Sequence, residues 1–459
     1  MIGHVFRRMR GPGLAGNIGA QGTSQAVNML MQLVSVPILA SNWGLEVYGI
    51  WLILFAFPQY LAMSDLGLIG AATNEVSMAA AQGRDDAALD LMQALQTLMT
   101  WIGLTITVLV MLVLAGPGAH WLDFAQAATG GQALWVMAAI VGWCVLGQHL
   151  AVALGGLRAG GHYPAAVNLM TAATLCETVA LWIWVMAGGG LLGAALCYLI
   201  GHVVFLVLMR VTLARRVPWL AQWHWRPRYG ALKGLLRPAL GMILVPLCYA
   251  LSMQGIVIAV GAALGAAAVP LFTSVRTLTR AAVQVTSVVN VASMPEYTVS
   301  HARGDRAKSE DIVALSIVFG LVVLVPAAIG LAFLGQWFVT VWTGGTIHPS
   351  IGVVLFLTAA MVLNGLWVPL SNLIMAINQP GRFSYFFAAL ALCEVLAAWF
   401  LARQFGVVGA AAAVAAFDAV MLAWIAYQAR SIGMVHLAAL RAAPARVLAM
   451  GRRLHRDGA

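Results

Sequence analysis

Runs of about twenty apolar residues recur along this 459-residue chain with few breaks, and a helix of that length spans the roughly 30 Å hydrocarbon core of a bilayer. Twelve such runs can be read, near 17–40, 47–78, 91–115, 132–156, 163–187, 190–213, 238–261, 267–294, 311–335, 350–374, 381–402 and 406–429. Those at 47–78 and 267–294 are expected to continue past the membrane. Composition leaves no soluble alternative. The chain is 62% hydrophobic and 9% charged, against about 25% charged in soluble domains, and so few charges cannot cover so much apolar surface. The five cysteines (Cys144, Cys176, Cys197, Cys248 and Cys393) all fall within the runs. They fit neither a disulfide framework nor the spacing of zinc ligands, and they read as small packing residues.

Basic residues set the orientation. Arg7, Arg8 and Arg10 precede a first run too long for the apolar region of a cleaved signal, so that run is expected to stay as an anchor. Threading twelve spans from a cytoplasmic N-terminus places 22 of the 25 Lys and Arg on the cytoplasmic side. Arg403 falls outside, and Arg276 and Arg280 fall within a span. This is the positive-inside asymmetry. The net charge of +10 is therefore mostly topology, dispersed over inner loops, and a nucleic-acid partner is not expected. Both termini are expected in the cytoplasm.

The basic linker at 214–237 divides the runs into two sets of six. An N-terminal lobe covers 1–213 and a C-terminal lobe covers 238–429; a basic, partly apolar tail at 430–459 is expected to lie on the anionic inner leaflet. A shift of 221 aligns Gly44 with Gly265, Glu75 with Glu296 and Gly83 with Gly304. A shift of 217 aligns Leu175, Cys176, Glu177, Ala180 and Trp182 with Leu392, Cys393, Glu394, Ala397 and Trp399. Six spans is an even number, so the halves share one orientation. The expected architecture is an all-α polytopic membrane protein: twelve transmembrane helices in two six-helix lobes, related by a pseudo-twofold axis along the membrane normal.

Charges inside spans cost a few kcal/mol each and face a cavity or a partner. Arg276 and Arg280, one turn apart on the eighth run, share a helical face, roughly 14 and 20 Å from its outer end. Their guanidinium groups suit the oxygens of a phosphate or an acidic sugar; alternatively they form ion pairs with Asp65 or Asp418. At the 221 shift their counterparts are Phe55 and Gln59, so the fold itself does not demand them. Asp65, in "SDLGL", is either a cavity acid or a carboxylate capped by Ser64. Glu177 and Glu394, at equivalent places, either carry a coupling proton or make a hydrogen bond between helices. Asp418 lies at a depth similar to Glu394 and could pair with it or with His202. Asn17, Gln21, Gln25 and Asn28 share one side of the first run and would line a wet cavity. Trp182, Trp184, Trp367 and Trp399 read as packing. "GPGLAG" at 11–16 matches a dinucleotide loop only in letters, since no strand precedes it. No metal site or Walker lysine loop is present.

The stretch "VPILASNWGLEVYGIWLILFAFPQYLAMSDLGLIGAATNEVSMAAAQGRDD" at 36–86 resembles the N-terminal signature of bacterial polysaccharide flippases, the Wzx-like branch of the MATE-like MOP exporter superfamily. Gly44 with "VYGIW", "SDLGL" and the Gly83–Asp85 turn carry the resemblance. "AVGAALGAAAVPLFTSVRTLTR" and the Gly304–Asp305 turn echo it in the second half. The resemblance implies a MATE-like fold of two facing lobes in a bacterial cytoplasmic (inner) membrane. The implied substrate is a lipid-linked oligosaccharide on a polyprenyl pyrophosphate carrier, turned to the outer leaflet for O-antigen, capsule or exopolysaccharide synthesis. Polymerase and chain-length proteins of that pathway are implied as partners, and a proton or sodium gradient, with no bound cofactor, as the drive. Two other functions compete. A multidrug or cation exporter of the same superfamily needs an acidic cavity, against which the arginine pair argues. A membrane polysaccharide polymerase or ligase needs a large outer loop, and the longest here is near 116–131. A transporter and not an enzyme is expected.

Overall fold

A computed structural model of the chain describes residues 12–61, 68–221, 247–302, 305–376 and 380–431. Among these residues the backbone is helical almost throughout and forms no strand. The major helices are α1 (Pro12–Leu61), α2 (Leu68–Ala81), α3 (Asp85–Ala115), α4 (Ala133–Ala159), α5 (Tyr163–Met186), α6 (Leu191–Arg216), α7 (Ile256–Leu264), α8 (Ala268–Ala302), α9 (Arg306–Trp342), α10 (Ile351–Ala376) and α11 (Pro380–Ser431). A helix satisfies its own backbone hydrogen bonds, which lipid cannot do.

Nine helices among the described residues are long and apolar enough to cross a membrane, which makes this a multi-pass membrane protein. The difference from the twelve expected spans has a physical location. Two of the nine are broken. In α1 the backbone leaves helical geometry at Gly44, and in α11 at Phe405 and Gly406. The break in α11 is a reversal: a Cβ placed on Gly409 would lie 2.0 Å from the Leu401 carbonyl oxygen, whereas a straight helix separates residues eight apart by about 12 Å. In α1 the rings of Trp43 and Trp51, also eight apart, come within 5.7 Å between centroids. In addition, α8, which carries Arg276 and Arg280, is not among the nine. Gly44 and Gly265, which the shift of 221 aligns, both adopt positive φ, 72° and 87°, the left-handed conformation that glycine enters without steric cost.

The described residues form two compact units, one from Gly16 to Ile258 and one from Ala259 onward together with the residues before Gly16. The division falls within α7 and not in the basic linker, of which residues 222–246 lie outside the described ones, as does the tail from residue 432. In the first unit α4 packs against α3, α5 and α6, and α2 packs against α3 and α4. Its core joins Ala72 and Val76 of α2, Leu91 and Leu95 of α3, Leu150 and Leu157 of α4, and Met209 of α6. In the second unit α10 packs against α8, α9 and α11. Large apolar side chains stay exposed along α3 (Leu109, Leu112), α6 (Ile200, Val207) and α9 (Phe333, Trp337). Such stripes would be costly in water and suit acyl chains. Helix entry follows local chemistry: Asp305 accepts a hydrogen bond from the Lys308 backbone N–H at 3.1 Å and so caps α9.

Candidate functional sites within the helices

The first unit holds a buried pair of a carboxyl group and an imidazole. Helices α5 and α6 are joined by the glycine turn at 188–190, and Gly189 and Gly190 lie midway between Glu177 and His202. Residues placed symmetrically about a hairpin turn meet at one depth. Accordingly His202 Nδ1 lies 2.6 Å from Glu177 Oε1, with the residues 8% and 3% exposed. Charge assistance accounts for so short a contact. Trp143 of α4 donates its indole N–H to the other carboxylate oxygen at 3.4 Å, and its ring lies 5.1 Å from the imidazole. Tyr198 and Phe55 complete an aromatic wall with Trp143. Backbone closeness makes the pair possible. A Cβ on Gly201 would sit 2.3 Å from Glu177 Cγ, so α6 can approach the glutamate only with glycine there.

The second unit repeats the plan with other chemistry. Gly406 lies midway between Glu394 and Asp418, which the two arms of α11 bury at 3% and 4% exposure. The offset of 217 that pairs Glu177 with Glu394 also sets Gly201 against Asp418 and Gly147 against Asn364. Asp418 Oδ1 accepts from the Trp367 indole N–H at 2.7 Å and from the Asn364 amide at 3.0 Å, both on α10. From α8, buried Arg276 lies within electrostatic reach of Glu394, Asp418 and Arg280. Its guanidinium carbon is 5.5 Å from the centre of the Phe272 ring.

Arg276 thus has acidic surroundings, as in the ion-pair reading, while Arg280, one turn on, is exposed. His202 belongs to Glu177, and Asp418 is served by Trp367, Asn364 and Arg276. Asp65 lies outside the described residues, and Asn17 lies in α1 with its side chain undescribed. Gln21 and Gln25 are exposed and Asn28 is half-buried. Gln21 donates to the Tyr163 hydroxyl at 2.6 Å, while the Arg158 guanidinium sits 5.9 Å over that ring. The sequence reading missed Trp143 and Asn364 as hydrogen-bond donors and assigned Trp367 to packing. The signal for Glu177–His202 was available in their symmetric distance from the turn. No group of three or more potential metal-ligating side chains occurs among the described residues.

Solved structures share this arrangement of helices. An inward-facing multidrug resistance MATE family transporter of the MOP superfamily superposes with a TM-score of 0.68 at 16% identity, covering 88% of this chain and 99% of that one. The fold is that of the MATE transporters. It is equally that of the lipid II flippase MurJ in an inward closed conformation, at a TM-score of 0.68 and 11% identity over 90% of this chain and 86% of that one. A MATE structure in complex with MaD3S gives 0.61 at 16% identity, covering 91% and 97%. No family model matches the sequence, and neither does any curated protein. Identities this low establish the MATE fold and leave cargo and coupling to the residues themselves.

Proposed function

We propose that the chain is a flippase of the MOP type. It moves a polyprenyl-pyrophosphate-linked oligosaccharide from the inner to the outer leaflet by alternating access, for surface polysaccharide synthesis. The single observation that carries this reading is the distribution of charge. Among the described residues, each buried acid has a basic residue near it within its own unit: His202 for Glu177, and Arg276 for Glu394 and Asp418. Arg280 is exposed beside them. A chain that bound cations would need acids free of such compensation, whereas an exposed guanidinium suits pyrophosphate oxygens. MurJ, which has the same fold, is a lipid II flippase, and a lipid-linked headgroup is the cargo class this charge pattern suits. The headgroup would travel a hydrated path while the prenyl tail stays in lipid, because stripping water from several hydroxyls and a pyrophosphate is prohibitive. An ion gradient would supply direction.

The test is Arg280→Ala at normal protein level. Loss of the surface glycan, with folding unchanged, is the expected result, and undiminished glycan would reject Arg280 as the headgroup contact. A multidrug exporter remains the second reading, favoured by the equal likeness to the MATE transporter. Efflux of cationic dyes by the wild-type chain, abolished by Glu394→Gln, would establish it in place of the flippase.

A further inference from the structure

We propose that one face of α1 is a carbohydrate track: a ladder of uncharged side chains, Gln21, Gln25, Asn28, Gln32 and Ser35, that hydrogen-bonds the sugar hydroxyls of the cargo. The inference deepens the flippase reading and rests on it. At 100° per residue the five positions fall within a sector of about 80°, and they climb about 21 Å of helix with one side chain per turn. They lie within the apolar stretch Gly19–Ala56, which is long enough to cross a membrane. Gln21, Gln25 and Gln32 are exposed there, and Asn28 and Ser35 are half-buried. An amide held against acyl chains without a partner is costly, so this face is a wet one.

Hydrogen bonds tie α1 to α5 at both ends of the ladder. At one end Gln21 donates to the Tyr163 hydroxyl at 2.6 Å. At the other the Trp182 indole N–H donates to the Ser35 hydroxyl at 2.9 Å, and beyond it Trp43 donates to the Gly189 carbonyl oxygen at 2.9 Å. Between these ends, the side chains of Gln25, Asn28 and Gln32 make no hydrogen bond among the described residues, so their donors and acceptors are open to a guest. The repeat does not require such a face. At the shift of 221 that pairs Gly44 with Gly265, the five residues correspond to Met242, Pro246, Tyr249, Met253 and Ile256. The polarity belongs to this half alone. Chemistry then selects the guest. A hydroxyl both donates and accepts, and a primary amide offers two donors and a carbonyl oxygen, so the ladder can answer sugar hydroxyls in either sense. None of the five carries a charge that would favour a cation or a phosphate over a neutral sugar.

The test compares two cargoes in proteoliposomes of the full-length protein: a fluorescent polyprenyl pyrophosphate bearing an uncharged disaccharide, and the same carrier without sugar. The wild type should move the sugar-bearing carrier faster. The double variant Gln25→Met with Gln32→Met gives up two neutral hydrogen bonds, so it should slow that carrier about tenfold, through KM, and leave the bare carrier as in wild type. Gln25→Asn with Gln32→Asn keeps both amides and should restore part of the loss. Undiminished movement of the sugar-bearing carrier in the methionine variant overturns the track, and so does an equal loss for both carriers, which is what structural damage would give. In either case the flippase reading stands. A wild type that moves the bare carrier as well as the sugar-bearing one likewise overturns the track alone. A wild type that moves neither carrier sinks the flippase reading and the track with it. Should the double variant fail to fold, Gln32→Met alone decides by the same ratio of the two cargoes.

Discussion

The hairpin of α5 and α6 and the hairpin of α11 start from the same plan and end with different chemistry. Each places a glutamate about three turns from a glycine turn, and each sets a partner position at equal depth on the returning arm. In one the facing positions are Gly201 and His202; in the other the position matching Gly201 is Asp418. The first hairpin needs no outside charge, because acid and base close on each other. The second brings two acids to one level and takes its positive charge from Arg276 on α8. The two hairpins share their spacing, and differences at a few positions leave one with a carboxylate facing a histidine and the other with a carboxylate cluster whose basic neighbour is an arginine.

Removing the fixed cation should break this comparison most severely. Arg276→Ala leaves Glu394 and Asp418 buried with their basic neighbour gone, and truncating one side of a buried charge cluster typically costs about 3–5 kcal/mol. Thermal unfolding in detergent should show the second unit destabilised first, as read by the quenching of Trp367 fluorescence. Adding Asp418→Asn to Arg276→Ala should recover part of the loss. An unchanged melting temperature in the single variant would mean that Arg276 does not balance these acids.

The corresponding cut in the first hairpin should cost less. Glu177→Gln and His202→Gln each give up one charge-assisted contact, worth about 1.5–3 kcal/mol, while keeping a polar group of similar size. The double variant should lose little more than either single one, because both changes remove the same interaction. Additive losses would show that the 2.6 Å contact contributes nothing to folding.

Much of this was legible in the residues. The apolar runs located the helices, and Gly44 with Gly265 marked two turns of one kind. Glu177 and Glu394 stood out as charges repeated in oil, and Asp418 was placed at a depth similar to Glu394. Counting from the turn would have joined His202 to Glu177, since hairpin symmetry is a property of spacing alone. Other parts were beyond spacing. Whether Arg276 turns toward Asp418 or toward a ligand depends on how α8 is rotated against α10 and α11, and one turn of sequence places Arg280 in an exposed position while Arg276 is buried. Trp367 reads as a packing residue because an indole in a membrane helix usually is one; its N–H found Asp418 through tertiary contact that no local pattern encodes. The position of the division within α7 likewise depends on packing and leaves no mark in composition.

Two substitutions of smaller effect would sharpen the contrast. Gly201→Ala places a methyl group 2.3 Å from Glu177 Cγ, so α6 must shift away from α5, at a cost of about 1–3 kcal/mol for overpacking. Because the two helices are then held apart, thermal unfolding in detergent should begin at a lower temperature than in wild type. An unchanged melting temperature in Gly201→Ala would show that the approach of α6 to Glu177 does not hold the hairpin together.

The smallest expected effect belongs to Trp143→Phe. This change removes an indole donor 3.4 Å from the carboxylate and keeps a ring against His202, so the stability loss should be about 0.5–1.5 kcal/mol. The carboxylate keeps its contact with His202 and loses its indole partner, so hydrogen exchange of the α5 and α6 amides should rise modestly in Trp143→Phe over wild type. Equal exchange in the two proteins would mean that the indole packs against the pair without supporting it.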